Sequence, residues 1–147
     1  MAVPDTGYYE ASRRSVNDQY GTDSTMNAYG RFLSQQRGSR SLGDTTQNFK
    51  RGYVPMRSQY GQRGLSGGGL RSGAMQGAMQ RYVGDYYQNY GRQAQDATQE
   101  LQGYDLNQAR LNSWRTSSMA DLDLQQAQEI ARAAENIEAL KQYYGGA

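Results

Sequence analysis

The chain has 147 residues, and Leu, Ile, Val and Phe together supply only 18 of them, or 12%, too few for a self-sufficient apolar core. Cysteine and histidine are absent, which removes disulfides, Cys/His zinc sites, thiolate nucleophiles and imidazole bases. The net charge of +2 hides an asymmetry: residues 1–72 hold ten basic and five acidic side chains, residues 73–147 six and nine.

Fourteen of the sixteen basic residues are Arg, which favours guanidinium stacking and forked hydrogen bonds over a diffuse lysine cloud. No stretch approaches 18 apolar residues, and Met1-Ala-Val-Pro-Asp5 lacks the basic and apolar regions of a secretory signal. These features lead to the expectation of no membrane span and a protein that acts where it is made.

Residues 1–63 are dominated by Gly, Ser, Gln, Asn, Arg and Tyr without a long apolar period, and are expected to form an extended polar arm. Tyr-Gly pairs recur at Tyr20-Gly21, Tyr29-Gly30, Tyr60-Gly61 and Tyr90-Gly91, and Arg-Gly pairs at Arg37-Gly38, Arg51-Gly52 and Arg63-Gly64. One short helix fits Ser24 to Gln36, with Met26, Tyr29 and Leu33 on one side. Thr45 to Pro55 reads as extended, because Pro55 disfavours helical geometry at Val54. Spaced aromatics on a polar strand suit a tether that staples neighbouring subunits.

Residues 64–73, Gly-Leu-Ser-Gly-Gly-Gly-Leu-Arg-Ser-Gly, are expected to be a hinge, with Ser72 capping the helix that follows. This segment lacks the Gly-Lys-Ser/Thr ending of a phosphate loop, and no strand precedes it as the dinucleotide fingerprint requires.

Residues 74–144 carry the helical signal. Met75, Met79, Tyr82, Val83, Tyr86, Tyr90, Ala94, Ala97, Leu101 and Tyr104 recur in steps that fit one helix face. Gly77, Gly84 and Gly91 lie seven apart, a spacing that admits another backbone at close range. Leu122, Gln126, Ile130, Ala133, Ile137, Leu140 and Tyr144 form a narrow coiled-coil seam. Asn112 to Ser118 has low helix propensity and fits the turn of a helical hairpin. The stripe nevertheless stays in phase through Leu111, Trp114 and Ser118, which favours a single rod of about 105 Å. The fold expected is all-α: a long C-terminal helix, or a helical hairpin, behind an irregular arm.

Catalytic candidates are lacking. Lys50 and Lys141 have no motif beside them, and Asp121 and Asp123 fall short of the six oxygens of a hard-cation site. No cofactor, metal or small-molecule substrate is expected. The expected functional residues are interfacial: Met75, Met79, Tyr82, Tyr86, Tyr90, Leu101, Tyr104, Leu122, Ile130, Ile137, Leu140 and Tyr144. Neither a rod nor a hairpin of residues 74–144 buries this stripe alone, so copies of the chain or other proteins are expected to complete it.

The run Ser58-Gln-Tyr-Gly-Gln-Arg-Gly-Leu65, followed by Gly-Gly-Gly-Leu-Arg-Ser-Gly73 and a helix rich in Gln, Tyr and Ala, resembles small virion structural proteins of tailed bacteriophages. In those proteins an arginine-glycine loop likewise precedes a long polar helix, and the likeness covers residues 40–144. The resemblance implies a non-enzymatic component made in the host cytoplasm and present in many symmetric copies in the virion, at the head–tail connector, in the tail or in the capsid interior. Its partners would be other virion proteins and copies of itself. The alternative suggested by the Arg/Gly/Tyr-rich arm is a protein that binds single-stranded nucleic acid or forms condensates.

Overall fold

The computed structural model describes residues 5–66 and 73–146. Among them the chain is all-helical, with α1 spanning Thr6–Ser66 (61 residues) and α2 spanning Gly73–Gly145 (73 residues). The chain divides into two compact units, unit 1 comprising Met1–Ala28 with Asp105–Ala147 and unit 2 comprising Tyr29–Tyr104. Each unit pairs a stretch of α1 with a stretch of α2, and in each the contacts run antiparallel. In unit 1 Arg13 meets Asp123 and Tyr20 meets Asn112. In unit 2 Arg37 meets Glu100 and Thr46 meets Tyr86.

The extended arm expected over residues 1–63 is corrected by this architecture, because Thr6 through Ser66 are one helix. The short helix at 24–36 lies inside it, as does the stretch from Thr45 to Pro55 that reads as extended. Asp5 caps the start: its Oδ1 accepts from the amides of Gly7 (3.1 Å) and Tyr8 (3.3 Å). Pro55 lies within α1, where it costs about 3 kcal/mol through its missing N–H and ring clash. Phe49 and Tyr53 offset that cost by stacking, Phe49 also lying against Tyr82 and Tyr86 of α2. Of the expected hinge at 64–73, residues 64–66 end α1 and Gly73 opens α2, while 67–72, including the Ser72 cap, lie outside the described residues.

A repeating stripe explains why so polar a segment is helical. The more protected positions of α1 include Tyr9, Arg13, Val16, Tyr20, Ser24 and Asn27 in unit 1, and Gly30, Ser34, Gly38, Leu42, Thr45, Phe49, Gly52 and Met56 in unit 2. Nearly every step is three or four residues, the helix period, but the side chains are polar, small or aromatic instead of aliphatic. α2 continues unbroken through residues 112–118, with Leu111, Trp114 and Ser118 half-buried on its stripe.

In unit 2, side chains of α2 come up against α1 at positions where α1 carries glycine. A Cβ on Gly30 would lie 2.7 Å from Cε1 of Tyr104, one on Gly38 would lie 3.1 Å from Cβ of Ala97, and one on Gly52 would collide with the Tyr82 hydroxyl. The glycines of α2 expected to admit a backbone behave differently, since a Cβ on Gly84 or Gly91 meets nothing within 4 Å.

These surroundings set opposite outcomes for the same substitution. Gly84→Ala and Gly91→Ala each gain helix propensity and are expected to stabilise by up to about 1 kcal/mol. Gly52→Ala must displace Tyr82 from its hydrogen bond and is expected to destabilise by about 1–2 kcal/mol despite the same propensity gain. Thermal melts of the three variants followed by circular dichroism check this ordering.

Candidate interaction face

Of the twelve residues singled out as interfacial, seven are half-buried: Met75, Met79, Tyr82, Tyr86, Leu101, Tyr104 and Leu122. The other five, Tyr90, Ile130, Ile137, Leu140 and Tyr144, are exposed. The stripe of α2 is therefore divided. Much of it faces α1 within the same chain, which corrects the expectation that only other molecules complete it.

Unit 2 places an aromatic cluster on this stripe. The Phe49 ring centre is 4.2 Å from that of Tyr86, 5.2 Å from Tyr82 and 5.4 Å from Tyr53, with interplanar angles of 26°, 19° and 29°. Such offset stacks contribute about 0.5–1.5 kcal/mol per pair beyond the area they bury. The polar tips are also engaged. Tyr82 donates to the carbonyl oxygen of Phe49 at 2.9 Å, and the Tyr86 and Thr46 hydroxyls share a hydrogen bond of 3.0 Å. Thr45 donates to Gln93 at 2.7 Å. Tyr87 and Tyr90 carry the cluster outward, their rings 5.3 Å and 5.8 Å from that of Tyr86.

Unit 1 is held by amides instead of rings. Tyr20 donates to Asn112 (2.6 Å), and Gln108 donates to Ser24 (3.0 Å) and Asn112 (3.2 Å). Asn27, which is buried, donates to Gln108 (3.2 Å) and accepts from Asn107 (2.9 Å). Arg115 lies 4.8 Å from the centre of the Tyr20 ring and donates to Asn17. Arg13 bridges to Asp123 at 2.7 Å and also donates to Gln126. Reading apolar periodicity alone passes over Asn27, Gln108 and Asn112; a search for amide and hydroxyl residues at the helix period finds them.

Tyr9 is the one hydrophobic side chain fully buried among the described residues. Burial raises its phenol pKa above the usual value, and the hydrogen bond to Glu129 and the charge of that carboxylate push in the same direction.

Among the described residues no group of three His, Cys, Asp or Glu could hold a metal ion. A shallow depression of about 580 Å³ in unit 1 is lined by Tyr20, Asn112, Arg115, Thr116, Met119, Ala120 and Asp123; Tyr20 and Thr116 donate to Asn112, while Asp123 accepts from Arg13 and Arg115 donates to Asn17. No helix among the described residues is long and apolar enough to cross a membrane. No family model, curated protein or solved structure matches the chain.

The Tyr9 phenol gives a pH signature. Because its pKa is raised in the folded state, folding favours the protonated form. That stability is present below about pH 10 and is lost as the pH rises through the raised value. Urea denaturation of the native chain and of Tyr9→Phe at about pH 8 and pH 11 is expected to show the native chain losing its advantage at the higher pH; a difference that does not change with pH overturns the assignment.

Proposed function

We propose that this chain is a non-enzymatic structural protein that works in multiple copies, as a component of a tailed-phage virion at the head–tail connector, in the tail or in the capsid interior. The observation that carries this reading is the distribution of large apolar and aromatic side chains. Among the described residues Tyr9 is buried, whereas fifteen, among them Tyr29, Phe32, Tyr87, Leu106, Leu124, Leu140 and Tyr144, are exposed. Exposed apolar groups in such proportion suit a surface covered by neighbouring subunits. The absence of imidazole and thiol chemistry fits the same role, and the resemblance of residues 40–144 to small virion proteins supports the location. The helical N-terminal half replaces the stapling arm as the partner-facing element.

Sedimentation velocity tests the reading. The 16.4 kDa chain is expected to shift to multiples of its mass as concentration rises through roughly two orders of magnitude. A species that stays monomeric throughout overturns it.

A second reading is favoured by one observation. Unit 2 contains ten basic and four acidic residues, net +6, whereas unit 1 contains six and ten, net −4. Basic charge concentrated in the unit that also carries the exposed Tyr87 and Tyr90 suits single-stranded nucleic acid. Titration with an oligonucleotide is expected to show affinity that falls steeply with salt and weakens in Arg-to-Gln variants of unit 2; salt-independent or absent binding removes this alternative.

A further inference from the structure

The excess positive charge of unit 2 is confined to one of its ends. From residue 45 to residue 84 the sequence holds no Asp or Glu, and Lys50, Arg51, Arg57, Arg63, Arg71 and Arg81 give that stretch six positive charges. The rest of the unit, 29–44 and 85–104, is neutral, with Arg31, Arg37, Arg40 and Arg92 balanced by Asp44, Asp85, Asp96 and Glu100. Helix pairing brings the two arms of the charged stretch together, because the Tyr82 hydroxyl comes up to Gly52 and donates to the Phe49 carbonyl.

We propose that this end of unit 2 binds the sugar-phosphate backbone of nucleic acid, single- or double-stranded, through Lys50, Arg51 and Arg57. The proposal rests on the nucleic-acid reading of unit 2 and names the residues and the mode of contact.

Geometry selects these three side chains. Along this part of α1 the protected positions are Thr45, Thr46, Phe49, Gly52, Tyr53 and Met56, the side that meets α2, whereas Lys50, Arg51 and Arg57 are exposed. Lys50, Val54 and Arg57 follow one another in steps of four and three on a single outward face, with Arg51 at its edge. Asp44, the carboxylate that precedes them in the chain, is about 10 Å from Arg51 along the helix axis. Arg37, in the neutral part, is already bridged to Glu100. Arg81 is exposed too, but Asp85 follows it by one turn.

The chemistry of the face selects the partner. Two of the three cations are Arg, whose forked donors match pairs of phosphate oxygens. Gln47, Asn48, Ser58 and Gln59 are exposed around them, amides and a hydroxyl that donate to phosphate and sugar. An anionic membrane surface calls for apolar side chains that insert below the headgroups, and between residues 45 and 59 only Val54 among the large apolar side chains is exposed.

The mode of contact follows from where the rings are. Tyr53, Tyr82 and Tyr86 are each stacked on Phe49, and the Tyr82 and Tyr86 hydroxyls are hydrogen-bonded within the unit. The exposed Tyr87 and Tyr90 fall in the neutral part. Around Lys50, Arg51 and Arg57 the contact is therefore to phosphates, which every sequence and both strand forms present.

Fluorescence anisotropy of the full chain with a labelled single strand of about 20 nucleotides, and with its duplex, tests the inference. Two double variants remove the same charge from different places: Arg51→Gln with Arg57→Gln on the proposed face, and Arg40→Gln with Arg92→Gln in the neutral part. The first pair is expected to weaken binding of both probes at least about tenfold at low salt, and to flatten the plot of log affinity against log salt by about two for the duplex. The second pair is expected to change affinity by less than about threefold. All four side chains are exposed, so helical circular dichroism is expected to stay the same.

Equal losses from the two pairs overturn the inference, since binding then follows total charge. Binding of the single strand without the duplex also overturns it, because the contact is then on the bases. An Arg51/Arg57 variant that binds as the native chain does places the site elsewhere; in all three cases nucleic-acid binding itself stands. A native chain that binds neither probe removes this inference and the nucleic-acid reading together, and binding to phosphatidylserine vesicles in that case identifies a membrane as the partner.

Discussion

Where α1 carries glycine in unit 2, α2 can bring Tyr104, Ala97 and Tyr82 up to the α1 backbone, and this closeness governs how the unit is built. A helix pair that is short of Leu, Ile and Val gains little from ordinary knobs packed into holes. It gains more when rings lie flat against a neighbouring helix, because dispersion falls away steeply with distance. Gly52 opens the space in which the Tyr82 hydroxyl meets the Phe49 carbonyl, and the Phe49 ring stacks on Tyr82 and Tyr86 from that position. Each such glycine weakens its own helix by about 1 kcal/mol, a cost set against the contacts it admits.

Unit 1 solves the same shortage differently. Its paired stretches meet through Tyr20, Ser24, Asn27, Gln108 and Asn112, which exchange side-chain hydrogen bonds at helix spacing. Each bond contributes modestly, on the order of 1 kcal/mol, but each is directional. Polar side chains on a seam discriminate against shifted registers more sharply than leucines do, because a slip would strand an amide without its partner. Ser34 in unit 2 shows the other side of this rule: its buried hydroxyl has no hydrogen-bond partner, so it serves there by being small.

The helical half of the fold was legible where apolar residues mark the period. Met75, Met79, Tyr82, Tyr86, Leu101, Tyr104 and Leu122 fall on one stripe in the sequence, and the structure places them on the protected side of α2. The helical nature of α1 was not legible, for a physical reason. Its protected stripe is written in Tyr, Asn, Ser, Thr and Gly, residues whose own propensities favour turns, caps or loops, and its few aliphatics do not outline a face. Asp5 ahead of Thr6 is a helix-start signal, but Pro55 on its own turns the local reading of Thr45 to Pro55 toward an extended segment. Tertiary cover from α2 reverses that balance, and a local reading does not contain it. The same gap misassigned the stripe's partner, because an arm thought to be extended could not be counted as the cover for Tyr82 or Leu101.

The amides that join the two stretches of unit 1 have a consequence for the conditions the molecule tolerates. Asn27, Asn107, Gln108 and Asn112 neither gain nor lose protons in ordinary buffers, and the chain has no imidazole. Mild acidification therefore leaves that ladder of bonds intact. Its natural adversary is a solute that imitates the peptide group, since urea offers every one of those side chains a replacement partner at no electrostatic penalty.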